Sequence, residues 1–141
     1  MKKIYIIAEI GINHNGDLAI AKKLIDIAKV AGCDVVKFQK RNPDVCVPEH
    51  QKSIMRDTPW GRMTYLEYKY KVEFGKKEYD EINQHCLLHD IDWFASAWDI
   101  DSQLFLRQYD LKYNKIASAM LTNVELLKTV AEEKKHTFIS T

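Results

Sequence analysis

Apolar residues along the chain fall into short runs separated by stretches with helical spacing. Residues 4–10 (IYIIAEI) form a β-branched run, and residues 11–17 (GINHNGD) are dense in turn formers, which predicts a strand followed by a loop. Residues 18–31 place Leu24, Ile27, Ala28 and Ala31 on one helical face, with Asp17 as an N-cap and Gly32 as the stop. The alternation then repeats. Apolar runs at 33–39 (CDVVKFQ), 91–97 (IDWFASA), 113–117 (YNKIA) and 137–139 predict four more strands, and helical patterns occupy about 76–89, 101–109 and 123–134.

Strands alternating with helices of this length indicate βαβ units and a parallel sheet, and near-continuous apolar runs suit strands buried on both faces. The expected fold is α/β, either a (β/α) barrel or a complete open sheet of the flavodoxin kind. The latter normally ends on a helix, whereas this sequence stops at Thr141 after its fifth strand, so a truncated barrel with two bare edges is the expectation. Residues 40–63, which hold all three prolines, read as a long irregular lid or binding loop after the second strand. The aromatic residues Tyr65, Tyr68, Tyr70, Phe74 and Tyr79 read as helix packing over the barrel base.

Composition narrows the function classes. An apolar content of 46% can build a core, while 21 basic residues nearly cancel 20 acidic ones. That balance argues against nucleic acid or an acidic membrane as partner, so any anion site must be local. No run approaches the length of a bilayer span, and Cys33, Cys46 and Cys86 lack a CxxC spacing. A cytoplasmic protein with reduced thiols is expected.

In parallel α/β folds the working residues project from the carboxyl ends of the strands. Those ends carry Glu9, then Lys37 and Gln39, then Ser96 and Asp99, then Lys115 and Ser118, and finally Ser140 and Thr141. Lys37 and Gln39 are two apart on an extended strand and therefore share a face. Two lysines inside a barrel mouth need anionic partners. Either they pair with Glu9 or Asp99 to close the barrel end, or they hold a small dianion with Ser96 and Ser118 donating to it. Ser118 and Ser140 equally suit helix caps. His14 sits in a turn-rich loop and reads as structural more readily than catalytic. His85 and His89 have the spacing of a two-histidine metal site, but Glu81 and Asp90 beside them make a solvated face the simpler reading.

The segments AEIGINHNGD (8–17), VKFQ (36–39), KIAS (115–118) and IST (139–141) resemble, in order, the signatures of the sialic acid (N-acylneuraminate) synthase family. The resemblance covers essentially the whole chain. It implies the first five strands of a (β/α)8 TIM-barrel enzyme that condenses phosphoenolpyruvate with an N-acylated amino sugar such as N-acetylmannosamine or its 6-phosphate. Carried over by motif, Lys37, Ser96, Lys115 and Ser118 are implied to bind phosphoenolpyruvate. Glu9 and Gln39 are implied to line the reacting centre, and Asn13 and His14 to shape the first loop. The resemblance also implies a divalent metal, manganese or magnesium, whose ligands lie outside this chain, and a homodimer of the full-length protein, often with a carboxyl-terminal antifreeze-like domain. Two positions depart from the family pattern. Residues 95–99 read ASAWD where a Ser-Thr-Pro-Phe-Asp run is usual, and Met120 stands where many members carry a sugar-recognising acidic residue. Two other functions stay open on the residues alone: a Schiff-base lysine lyase acting through Lys37 or Lys115, and a non-catalytic module that binds a phosphorylated ligand.

Overall fold

The computed structural model describes residues 4–141. Strand β1 (Ile7–Gly11) leads through a loop to helix α1 (Leu18–Val30), whose first turn is held by Asp17 accepting from the amides of Ala19 and Ile20 at 2.7 and 3.1 Å. Strand β2 (Val35–Lys40) follows. Between it and the next sheet strand lie the short helices α2 (Pro43–Cys46) and α3 (Glu49–Lys52), the hairpin β3 (Met55–Thr58) and β4 (Gly61–Thr64), and helices α4 (Tyr65–Val72) and α5 (Lys76–Leu88). The chain then runs through β5 (Asp92–Ala97), α6 (Ile100–Leu106), β6 (Tyr113–Ile116), α7 (Val124–Ala131) and β7 (His136–Ile139).

The main sheet has the order β1-β2-β5-β6-β7, every pairing parallel. Its strands are added in one direction without reversal, so it is not the doubly wound order of a flavodoxin, where the first two strands exchange places. With right-handed crossovers, one-way addition puts the connecting helices on one face. The packing agrees: Phe38 of β2 and Trp93 of β5 meet edge-on at 6.4 Å, and Tyr79 of α5 stacks on Trp93 at 5.5 Å. Contacts on the other face come from strands, with Phe94 of β5 between Tyr113 of β6 at 5.8 Å and Phe138 of β7 at 5.7 Å. Among the described residues the sheet stays open, with β1 and β7 as its edges, and no barrel closes.

Three expectations need correction. Helix α1 buries Ala21, Ile25 and Ala28, whereas Ile27 and Ala31, assigned to its apolar face by spacing, are exposed. The stretch 40–63 is not irregular; it contains α2, α3 and the β3–β4 hairpin, with α4 directly after it. Helix α4 begins with a capping box in which Thr64 and Glu67 satisfy each other's amides, so it has its own local cause. Strand β1 also begins later than the apolar run suggests. Ile7 pairs with Val35 at the start of β2, and the amide of Ile6 turns instead to the Asp34 carboxylate at 2.8 Å.

Candidate active site

The register brings the strand-end residues together. Glu9 lies opposite Lys37, Gln39 opposite Ser96, and Ser96 opposite Lys115, so all five share the face that the helices leave uncovered. Phe94, opposite Lys37, Tyr113 and Phe138 lie among them or one step below and give the polar group an apolar floor.

Lys37 is only 5% exposed, and its Nζ donates to Glu9 Oε1 at 2.7 Å. Among the described residues Lys115 has no such anion: its Nζ donates to the Ile116 carbonyl at 2.8 Å and the Ser140 hydroxyl at 2.5 Å. Partial burial, followed by the nearby charge of Lys37, lowers the pKa of Lys115, with Glu9 opposing. Among the described residues, two ammonium groups thus share the Glu9 carboxylate's neighbourhood. Ser96, fully buried, has a hydroxyl with no hydrogen-bond partner among the described residues. Buried hydroxyls are normally satisfied, so this hydroxyl, on the residue opposite Lys115 in the sheet, is left with hydrogen-bonding capacity to spare.

Backbone devices set this geometry. A bulge between Glu9 and Gly11 shifts the β1 register, and Gly11 has a φ of +57°, where a Cβ would lie 3.3 Å from Glu9 Oε1 and 3.6 Å from Gln39 Nε2. Its missing side chain leaves room for both. The end of β2 is pinned from behind: Lys40 Nζ donates to Glu73 at 3.1 Å and to the Phe74 carbonyl at 2.9 Å, and the Tyr79 hydroxyl donates to the Gln39 carbonyl at 2.7 Å.

Other candidate residues lie elsewhere. Asp99 pairs with neither lysine; it is buried and caps α6, accepting from the Ser102 amide at 2.7 Å and the Asn42 amide at 2.7 Å. Ser118 is exposed in the turn after β6, and Asn13 is exposed in the first loop. His14 is buried on the helix-covered side, stacked on Phe74 at 3.9 Å, with Nδ1 accepting from the Gly16 amide at 3.0 Å. Sequence reasoning missed Arg41. Its guanidinium lies over Trp98 at 4.2 Å and donates to the Gln39 side chain, while its buried Nε has no partner among the described residues. Only its place directly after Gln39 hinted at this. Beyond the ends of β5 and β6, a cavity of about 460 Å³ is lined by Cys46, Trp98, Asp101, Met120 and Asn123, among others.

Burial lowers the pKa of His14 to about 4, against a weaker opposing pull from Asp17. A folded pKa below the unfolded value of about 6.5 means that the unfolded chain binds more protons in mild acid. The contribution is therefore complete above about pH 6.5 and is lost as the pH falls toward 4. Denaturant titrations at pH 7 and about pH 4.5 should differ by about 2–3 kcal/mol from this residue. In His14→Phe that part of the difference should vanish; an unchanged pH profile would show that the ring titrates normally.

A model of the NeuB family matches residues 24–141, which span β2 and all the later elements. The chain belongs to the NeuB family. Among relatives, the N-acetylneuraminate-9-phosphate synthase of Drosophila melanogaster is 40% identical over 140 residues, covering 98% of this chain and 37% of that protein. The N,N'-diacetyllegionaminic acid synthase of Campylobacter jejuni is 37% identical over 143 residues, covering 100% of this chain and 43% of that protein. The crystal structure of the N-acetylneuraminic acid synthetase of Leptospira borgpetersenii, in complex with citrate, superposes with a TM-score of 0.84 at 28% identity, covering 98% of this chain and 44% of that one. This NeuB chain thus spans less than half the length of the synthases it matches. No helix among the described residues is long and apolar enough to cross a membrane.

Proposed function

We propose that these five strands are the first part of a (β/α)8 barrel, and that their carboxyl ends form the phosphoenolpyruvate cradle of a nonulosonic acid synthase. The observation that carries this reading is the charge imbalance at the mouth: Lys115 lacks a carboxylate partner among the described residues while Ser96 holds an unused hydroxyl beside it. A phosphorylated carboxylate supplies the missing negative charge and acceptor oxygens. The partner substrate is an N-acylated amino sugar of the N-acetylmannosamine kind, approaching from the side of the cavity lined by Trp98 and Met120.

In the proposed reaction, carbon 3 of phosphoenolpyruvate attacks the sugar aldehyde, water adds at carbon 2, and phosphate leaves by C–O cleavage. Lys37, Ser96 and Lys115 hold phosphate and carboxylate, fixing the direction of attack, and Ser118, exposed on the turn after β6, joins them only if that turn closes over the ligand. In this reading Glu9, whose side chain is 57% exposed and paired to Lys37, accepts the proton of the attacking water. Gln39, itself held by Arg41, lines the reacting centre. Among the described residues at these strand ends, Glu9 is tied to Lys37, Asp99 caps α6 and His14 faces away, so the donors here do not make a metal cage. Manganese or magnesium, expected to polarise the aldehyde, would take its ligands from residues outside this chain.

One observation favours a second reading. A lysine whose pKa is lowered beside another cation is the kind that forms Schiff bases, and Lys115 fits that description. Thermal melts and borohydride trapping separate the two. Phosphoenolpyruvate should raise the melting midpoint of this chain while pyruvate leaves it unchanged, and borohydride with pyruvate should leave the protein mass unaltered. A covalent pyruvate adduct would replace the cradle with a lyase; no response to phosphoenolpyruvate would remove the cradle.

A further inference from the structure

Helices α1 and α5 lie side by side, and rungs of polar contacts join them. Lys22 donates to Glu81 at 2.7 Å, Asp26 meets His85 at 2.7 Å, and Lys29 donates to the Asp90 carbonyl, just beyond α5, at 2.5 Å. Residue numbers rise together on both sides, so the helices run parallel and their register is fixed. The outer rungs are each a lysine on an oxygen. The middle rung is different.

There, one carboxylate oxygen, Asp26 Oδ1, faces two imidazoles: His85 Nε2 at 2.7 Å and His89 Nε2 at 3.8 Å. The two rings are 4.3 Å apart, as expected for residues one helical turn from each other. Among the described residues no lysine or arginine forms an ion pair with Asp26; its ion-pair contacts are the two histidines. The ligand atoms of Asp26, His85 and His89 all lie within 4.8 Å of one another. A tetrahedral ion bound at about 2.0–2.1 Å needs its ligand atoms roughly 3.4 Å apart, a spacing bracketed by the two contacts at Asp26. Side-chain exposures of 44%, 16% and 44% for Asp26, His85 and His89 leave solvent access for a water as fourth ligand.

We propose that Asp26, His85 and His89 form a site for a divalent transition cation of the zinc class, which clamps α1 to α5. Two imidazoles and a carboxylate favour zinc, nickel, cobalt or copper over magnesium, so this site differs in chemistry from the hard-cation site expected of a complete synthase. It lies on the outer helices, behind the sheet, and α1 connects the strands that carry Glu9 and Lys37. A bound ion would brace that crossover without touching substrate.

Equilibrium dialysis and thermal melts with zinc chloride test the site directly. The chain should bind one zinc, with a higher melting midpoint, and magnesium should give no such shift. His89→Asn and Asp26→Asn should each weaken zinc binding by about tenfold or more and remove the midpoint shift. His50→Asn and Cys33→Ser should retain both. His89 is exposed, so its variant keeps the metal-free melting midpoint and serves where Asp26→Asn perturbs the fold. Zinc binding that survives in both triad variants, or that disappears in Cys33→Ser, overturns the assignment, as does a failure to bind zinc at micromolar concentrations.

Discussion

Gly16→Ala is expected to destabilise the chain by about 4 kcal/mol, the sum of left-handed backbone strain and an unrelieved clash. Gly16 has a φ of +71°, and a Cβ there would lie 2.0 Å from the carbonyl oxygen of Lys71, with the Lys71 carbonyl carbon at 3.1 Å and Val72 Cα at 3.4 Å. These are backbone atoms in the last turn of α4, so no side-chain rotation relieves the overlap. The loop after β1 must move off α4, taking with it the Gly16 amide that His14 accepts from. Gly32→Ala is the matched comparison: φ is +82°, but a Cβ there meets nothing within 4 Å. That variant should lose only about 1–2 kcal/mol, the backbone strain alone. Denaturant midpoints of the two proteins decide it. Equal losses would mean that the loop yields freely and that its packing on α4 contributes little.

The difference between these glycines shows where sequence reading reaches and where it stops. The turn-rich composition of residues 11–17 locates the loop, but nothing in it shows that α4 lies against the loop, because α4 is placed by tertiary packing. The strands were legible for a simple reason: β2 and β5 are buried almost throughout, so their apolar runs are nearly unbroken. Where a polar residue interrupts such a run, period two identifies its face, and that sufficed to place Lys37 with Gln39. The β3–β4 hairpin escaped notice because its residues are mostly exposed and polar, leaving no apolar alternation to read. Arg41 and Asp26 escaped for another reason. Each acquires its role from a partner distant in sequence, Trp98 for one and His85 for the other, and only the packing of elements supplies that register.

The charge arrangement at the strand ends makes a sharper demand, because it predicts opposite effects on binding and on stability. Lys115→Met is expected to weaken phosphoenolpyruvate binding about 100-fold, the loss of one partner in a partly buried, hydrogen-bonded charge contact. Without ligand the same change removes a partly buried cation that sits near Lys37 with no anion of its own among the described residues, so the ligand-free protein should melt at the same temperature or higher. Lys37→Met offers the contrast. Its ammonium already has Glu9 at 2.7 Å, so its removal should cost stability as well as binding. Calorimetric titration with phosphoenolpyruvate, run beside melts of the ligand-free proteins, separates the two lysines. If Lys115→Met lowers the melting temperature as much as Lys37→Met does, Lys115 is part of the scaffold, and the uncompensated positive charge on which the cradle rests is an ordinary structural contact. If the empty protein is unharmed while affinity collapses, Lys115 is held at the mouth for the ligand, with its positive charge left unbalanced until an anion arrives.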